Sequence, residues 1–397
     1  MKEAVIVSAV RTAVGTIGGT LRDMPAQDMA AVAVREAVAR AGIPKEVINE
    51  VILGQTRQTT EASNIARVVS LMVDLPIEAA AYTVHRQCGS GLQAINNGYK
   101  EIQTGSAEVV VAGGTESMSR SPYYLKNARY GYGAGDAILV DSLTEGGPGA
   151  QPRDKYGEMG MGNTAENVAA KFGITREEQD VFALQSQEKA IKAINEGKFK
   201  DEIVPLEVKQ GRSIITFDTD EHPRATSLEK LAALKPVFKK DGTVTAGNST
   251  GRNDGAAAVV MVEREKAKEL GLQPMARVVA DACVGVPPEI MGIGPVPAVK
   301  AVLKKAGMTL DEIDLFELNE AFAAQAVACV KELGLDLYKV NVNGGAIALG
   351  HPLGMTGAKL TATLLYELKR TGKRYGIVTL CCGGGLGIAT IYENLML

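Results

Sequence analysis

Val34-Arg35-Glu36-Ala37-Val38-Ala39-Arg40-Ala41-Gly42 is a short amphipathic segment with a glycine stop, and Ile48 and the run Glu50-Val51-Ile52-Leu53-Gly54 follow it. The spacing predicts a helix closed by a glycine in the left-handed region, then a buried strand. The same pattern returns near the other end of the chain. Val299-Lys300-Ala301-Val302-Leu303-Lys304-Lys305-Ala306-Gly307 is followed at matching spacing by Ile313 and Leu315-Phe316-Glu317-Leu318-Asn319. A second pair keeps the same order. Glu108-Val109-Val110-Val111-Ala112-Gly113-Gly114 resembles Gly376-Ile377-Val378-Thr379-Leu380-Cys381-Cys382-Gly383-Gly384, each reading as a buried strand that ends in a glycine turn. One helix-glycine-strand echo could be chance, but two in the same order predict a duplicated α/β half.

Outward from these repeats, apolar runs of strand length alternate with helical patterns, which is an α/β signature. The texture changes between the halves. From about Ser119 to Thr243 the chain is rich in Gly, Pro and charge, and it holds a helical stretch from Arg176 to Glu196 opened by Thr175 and Glu178 as a capping box. The expected division is therefore 1–118 with 244–267 as the N-terminal half, 119–243 as an inserted loop domain, and 268–397 as the C-terminal half. Long loops over a rigid scaffold commonly carry binding function.

Bulk properties narrow the function. The chain has 397 residues, 46% hydrophobic and 22% charged, and a formal net charge of -3. That balance fits a folded globular protein of more than one domain and offers no basic field for nucleic acid. With no Trp and 5% aromatics, base-stacking platforms are also excluded. Five Cys are too few and odd for a disulfide framework, so they read as free thiols of a cytoplasmic protein. No secretory signal, membrane span or metal-ligand spacing is expected.

Four blocks could carry chemistry. Cys88, in Thr83-Val84-His85-Arg86-Gln87-Cys88-Gly89-Ser90-Gly91-Leu92, sits between a strand and a helix, where backbone N–H groups favour a thiolate. His351 lies in Asn343-Gly344-Gly345-Ala346-Ile347-Ala348-Leu349-Gly350-His351-Pro352, a glycine-rich turn open to close approach, and could serve such a thiol as base. His85 and His222 read as ordinary surface or core histidines. Cys381, with Cys382 and the glycine run after it, ends a strand too near the C-terminus for a dinucleotide fold, and its turn suits an oxyanion. Asn319 and Glu320 follow a strand and precede a helix, so Asn319 is also a candidate helix N-cap.

Together these blocks resemble the thiolase family over essentially the whole chain. The motifs are Ile6-Val7-Ser8-Ala9-Val10-Arg11-Thr12, Cys88-Gly89-Ser90-Gly91, Ala112-Gly113-Gly114-Thr115-Glu116-Ser117-Met118-Ser119, Thr245-Ala246-Gly247-Asn248, Asn319-Glu320-Ala321-Phe322, Gly350-His351-Pro352 and Cys381. The resemblance implies two similar α/β halves in a five-layered αβαβα fold with an inserted loop domain. It implies acyl transfer between coenzyme A esters through an acyl-Cys88 intermediate, either condensing two acetyl-CoA to acetoacetyl-CoA or cleaving longer 3-ketoacyl-CoA. His351 would activate Cys88, Asn319 would position a water in one oxyanion hole, and Cys381 would move the proton at C2. The N–H groups of Cys88 and Gly383 would form a second hole. Met161, Arg224, Ala246, Ser249 and Thr250 would meet the substrate, with Arg224 toward adenine. No cofactor or metal is implied, coenzyme A being substrate and product, and the resemblance implies a homotetramer, or at least a dimer. Departures are His85 where Asn is usual, Cys382 where an aliphatic residue is usual, Gly160 where the short-chain branch often has His, and Thr250 where Ser is often found. A ketoacyl synthase would lack the second cysteine. A non-catalytic binding protein would be expected to have lost Cys88, His351 or Cys381.

Overall fold

The computed structural model describes residues 2–397 and is built around one large twisted sheet. In the first half the elements are β1 (Ala4–Thr12), α1 (Ala26–Ala41), β2 (Glu50–Gly54), α2 (Ile65–Met72), β3 (Ala80–Val84), α3 (Ser90–Thr104) and β4 (Val109–Ser117). The stretch between β4 and the next long strand carries α4 (Met161–Phe172) and α5 (Arg176–Asn195). After it come β5 (Asn253–Glu263), β6 (Ala276–Gly285), α6 (Pro295–Ala306), β7 (Leu315–Leu318), α7 (Ala323–Leu333), α8 (Thr356–Thr371), β8 (Tyr375–Cys382) and β9 (Leu386–Asn394).

Strand order is β7-β8-β9-β6-β1-β5-β4-β2-β3. Within it β2–β4 and β7–β8 are parallel, while β4–β5, β5–β1, β8–β9 and β9–β6 are antiparallel. The set β2, β4, β5, β1 thus has its counterpart in β7, β8, β9, β6. The halves join where β1 meets β6 through Val5–Arg277 and Ile6–Ala276. Even β3 has an echo, a single bridge between Phe316 and Val340 beside β7. The duplication expected from the two glycine-stopped helices is present. Gly42 and Gly307 close α1 and α6 at φ 65 and 67, where a side chain would be strained.

The apolar core divides as the five layers require. One cluster lies between α1, α2 and the outer face of the first half-sheet, and a second between α6, α7 and the second half-sheet. The third surrounds α3 and α8, which lie between the half-sheets and touch both. The capping box at Thr175 and Glu178 is formed, with Glu196 as the cap beyond α5. Two expectations fail. Gly113 and Gly114 make no turn but lie inside β4, which runs on to Ser117. A Cβ on Gly113 would come 2.1 Å from the Ala257 carbonyl oxygen and one on Gly114 2.0 Å from that of Gly354, so close backbone packing explains both glycines. Asn319 is not a helix cap, because α7 begins only at Ala323 with Phe322 before it.

Candidate active site

Cys88 sits two residues before α3, after the left-handed Gln87 at φ 47. Gly54 and Gly91 let neighbouring chains press against this turn. A Cβ on Gly54 would fall 2.4 Å from the Ser90 carbonyl carbon, and one on Gly91 2.6 Å from the Gly354 oxygen. The turn that carries His351 is thereby packed backbone to backbone on the first turn of α3. Gly357 repeats the approach, its Cβ position being 2.2 Å from the Leu92 nitrogen. Glu116, fully buried at the end of β4, ties these pieces together. Its carboxylate accepts from the Thr56 and Arg57 amides at 3.0 and 2.9 Å, from the Thr56 hydroxyl at 2.6 Å and from the Gly354 amide at 2.9 Å.

The imidazole of His351 is almost wholly buried and held on both sides. The Thr356 hydroxyl donates to the Pro352 carbonyl at 2.8 Å, so its oxygen accepts from His351 Nδ1–H at 2.6 Å. This network assigns the proton to Nδ1 and leaves Nε2 unprotonated, the nitrogen able to accept a proton. Asn319 Nδ2 approaches that nitrogen at 3.3 Å, while Asn319 Oδ1 is buried without a partner. Burial, with the charge of Lys359 adding to it, pushes the His351 pKa down to about 3. The imidazole is therefore neutral at physiological pH.

Burial also pushes the Cys88 thiol up, to about 11, against the opposing pull of the Gly383 N–H, the Arg57 charge and its own amide. This corrects the expectation of a resting thiolate: at the start of α3 desolvation outweighs the backbone donors. With that value only about one molecule in ten thousand carries the thiolate at pH 7. Proton removal must therefore accompany attack.

Cys381 and Cys382 end β8 and face opposite sides of the sheet. Cys382 belongs to the central cluster, its sulfur 2.7 Å from where a Gly89 Cβ would lie. Cys381 belongs to the cluster that holds Phe322 and has Met161 packed against it. Burial raises both thiols well above the ordinary range, and each also feels the charge of Cys88. The glycine turn after them takes φ 83 and 85 at Gly384 and Gly385, which only glycine accepts readily. Met161 Sδ and Ala150 Cβ stand 3.4 and 3.5 Å from the Cβ position of Gly383.

The remaining candidates form a second group. Ser249 and Thr250 are bound to the Asn319 turn: Ser249 bridges to Phe322, the Thr250 amide donates to Ala321 O at 3.1 Å and its hydroxyl to Ala346 O at 2.8 Å. Arg224 and Ala246 are exposed and bound to each other, Arg224 donating to the Ala246 carbonyl at 3.2 Å. Glu320 spans Ser186, Asn341 and the Ile347 amide at 2.6, 2.7 and 3.2 Å, a structural clamp for the same turn. His85 is exposed, and His222 is buried with both ring nitrogens unpartnered. Sequence reading missed Thr356, Asn253 and Lys359, which hydrogen-bond the His351 ring or the Gly350–His351 peptide, and gave Glu116 no role. Glu116 alone left a signal, a charge inside an apolar strand. Among the described residues no cluster suited to a metal occurs, and no helix is long and apolar enough to cross a membrane.

A half-buried thiol, a neutral imidazole, a second, buried thiol and a glycine turn of N–H donors on a doubled α/β scaffold define an acyl-transferring enzyme. The family profile described as "Thiolase, N-terminal domain" matches residues 4–265, and "Thiolase, C-terminal domain" matches 272–394. The chain belongs to the thiolase family. It is 49% identical over 400 residues to the acetyl-CoA acetyltransferase of Syntrophomonas wolfei, covering 99% of this chain and 100% of that one. Among solved structures it is similar to the Bacillus anthracis acetyl-CoA acetyltransferase, at TM-score 0.96 and 48% identity, covering 100% and 99% of the two chains. It is also similar to human mitochondrial 3-ketoacyl-CoA thiolase in complex with CoA, at TM-score 0.94 and 46% identity, covering 99% and 98%.

Proposed function

We propose that the chain is an acetyl-CoA C-acetyltransferase, condensing two acetyl-CoA to acetoacetyl-CoA and coenzyme A and running the thiolysis in reverse. The observation that carries this reading is the meeting of Cys88 and Cys381 at the Gly383 turn, with a neutral His351 on the turn packed against the start of α3, just after Cys88. In thiolysis the Cys88 sulfur attacks the 3-keto carbon as His351 Nε2 takes its proton. The C2–C3 bond breaks, its electron pair goes to the acetyl-CoA enolate, and Cys381 protonates C2. Coenzyme A then gives its thiol proton to the Cys381 thiolate and takes the acyl group from Cys88, whose sulfur regains its proton from His351. In condensation the steps reverse. Each addition makes an oxyanion. The amides of Cys88 and Gly383 are suited to one, and His351 with a water held by the unpartnered Asn319 Oδ1 to the other; a good donor is worth about 3 kcal/mol.

Cys381 rather than Cys382 is assigned the C2 proton because its face is the one shared with Met161 and Phe322. Phe322 joins Ser249, and Ala321 joins Thr250, which suits those residues to the pantetheine, with Ala246 and Arg224 further out toward the nucleotide. The names of two relatives support acetyl-CoA, and the crowding of Gly383 by Met161 and Ala150 supports a short acyl group. The human relative keeps a second reading open, degradative cleavage of longer 3-ketoacyl-CoA in fatty acid metabolism. Coenzyme A-dependent cleavage of acetoacetyl-, 3-ketohexanoyl- and 3-ketooctanoyl-CoA separates them. Acetoacetyl-CoA alone is expected to be cleaved well. Comparable rates on the longer esters give the second reading, and no cleavage of any ester above a Cys88→Ser blank defeats both.

The proposed enzyme is a cytoplasmic homotetramer. Support comes from its unpaired thiols and from the hairpin of Tyr123–Leu125 with Leu139–Asp141, where Tyr130, Ile138 and Leu139 are 95%, 75% and 66% exposed. Apolar surface of that kind on an antiparallel hairpin calls for a protein partner. Sedimentation velocity is expected to give a tetramer that the double substitution Ile138→Asp, Leu139→Asp breaks down. A wild-type monomer would sink the assembly proposal.

A further inference from the structure

Lys359 lies on the fourth residue of α8 and is 1% exposed. An ammonium is costly to bury unless a carboxylate pairs with it. Carboxylates are close: Glu202 and Asp220 from the stretch before β5, and Glu317 from β7, all act on it, as does the positive Arg11 of β1. Arg11 claims two of them, binding Glu202 at 2.6 Å and Asp220 at 2.8 and 2.9 Å. Thr363 of α8 takes a further place on Glu202 at 2.9 Å. Lys359 makes no ion pair within 4.0 Å among the described residues. Its hydrogen bond goes to the Gly350 carbonyl at 3.3 Å.

That carbonyl and the His351 N–H belong to one peptide group. Asn253 Oδ1 accepts from the N–H at 2.9 Å, so the plane is gripped at its oxygen by Lys359 and at its hydrogen by Asn253. Gly350 holds φ 85 on one side of this plane, and the ring of His351 is anchored by Thr356 on the other. The charged group acting on His351 is Lys359; Asn319, Thr356 and Asn253 around it are uncharged. The buried His222 also feels Lys359.

We infer that Lys359 is a positioning residue for His351, fixing the Gly350–His351 peptide and placing a positive charge beside the ring so that a proton taken from Cys88 is given back to its sulfur when the acyl group departs. This rests on the reading of His351 as the base. A positive neighbour makes the imidazolium a stronger acid, which favours release of the proton over storage. Burial and Lys359 act in the same direction on the ring.

Lys359→Gln keeps a donor for the Gly350 oxygen and removes the charge. Its kcat is expected to fall about tenfold or more while KM changes less than about twofold. The acid limb of kcat/KM is expected to move up toward the ordinary histidine value of about 6.5. Lys359→Arg keeps charge and donors, and should hold the wild-type acid limb with kcat within about threefold. Thermal melts separate these effects from loss of fold. A folded Lys359→Gln with wild-type kcat and acid limb overturns the inference. So does a folded Lys359→Arg whose acid limb has moved to the histidine value, even if Lys359→Gln cannot be folded. The rate of Cys88 alkylation by iodoacetamide, read by mass spectrometry, follows base placement without any substrate. Lys359→Met removes the donor to the Gly350 oxygen. A slowed, folded Lys359→Met beside a wild type inactive on every ester would sink the thiolase substrate reading and leave this inference standing, whereas a folded Lys359→Met labelled at the wild-type rate overturns it.

Discussion

Cys88→Ser and Cys381→Ser are expected to stop acetoacetyl-CoA thiolysis at different steps. Loss of the nucleophile should cost at least about 10⁴-fold and leave no acyl-enzyme, because no other group in the site can carry the acyl chain. Loss of Cys381 removes the proton donor at C2, an acid–base contribution of about 10² to 10⁴. Acylation from acetyl-CoA needs no C2 proton, however, so Cys381→Ser should still load an acetyl group on Cys88. Intact mass measured after acetyl-CoA, beside steady-state thiolysis, tests both halves. Cys382→Ser is the control. Its sulfur packs against Gly89 in the central layer, so that variant should keep the carbon–carbon step and lose only packing. Retained thiolysis in Cys381→Ser together with its loss in Cys382→Ser would transfer the proton-moving role to Cys382.

The two halves were legible because each must bury the same faces, so the glycine stops at Gly42 and Gly307 and the strands after them recur at the same spacing. Cys88, His351, Asn319 and Cys381 stood out because reactive side chains beside glycines have few structural uses. What stayed hidden depends on partners far away in the chain. Glu116 meets Gly354 across 238 residues, and His351 N meets Asn253 across 98. Neither distance leaves a local pattern. Gly113 and Gly114 misled for the same reason: a glycine that admits another backbone looks in sequence like one that makes a turn. The thiol at Cys88 misled through magnitude. The backbone donors at the start of α3 are real, but burial removes more stabilisation from the thiolate than they return. Lys359 had no signal at all, since in an amphipathic helix a lysine reads as solvent-facing.

His351→Ala should lower kcat by about 10² to 10⁴-fold, since a thiol that titrates near 11 needs a base at every attack. The pH dependence carries the sharper test. An unperturbed histidine base would give an acid limb near about 6.5. Here the ring is pushed down to about 3, and a group with a lowered pKa stays neutral until the pH falls through that lowered value. Wild-type kcat/KM should therefore hold through pH 6 and down to about pH 5, on the acid side of the ordinary histidine range. On the alkaline side the sign is opposite. The raised Cys88 thiol should make iodoacetamide labelling climb with pH above about 7, steepening toward roughly tenfold per pH unit by about pH 10 as the thiolate route overtakes the base-assisted one, with no plateau near the ordinary cysteine value. In His351→Ala the hydroxide-driven rise should remain while the labelling rate at pH 7 drops, because only the base-assisted route is lost. An acid limb at the ordinary histidine value would mean that water reaches the ring and that Nε2 is not the shielded lone pair the Thr356 bond implies. A labelling plateau below pH 9 would mean that Cys88 rests as a thiolate, and His351 would then have no proton to remove.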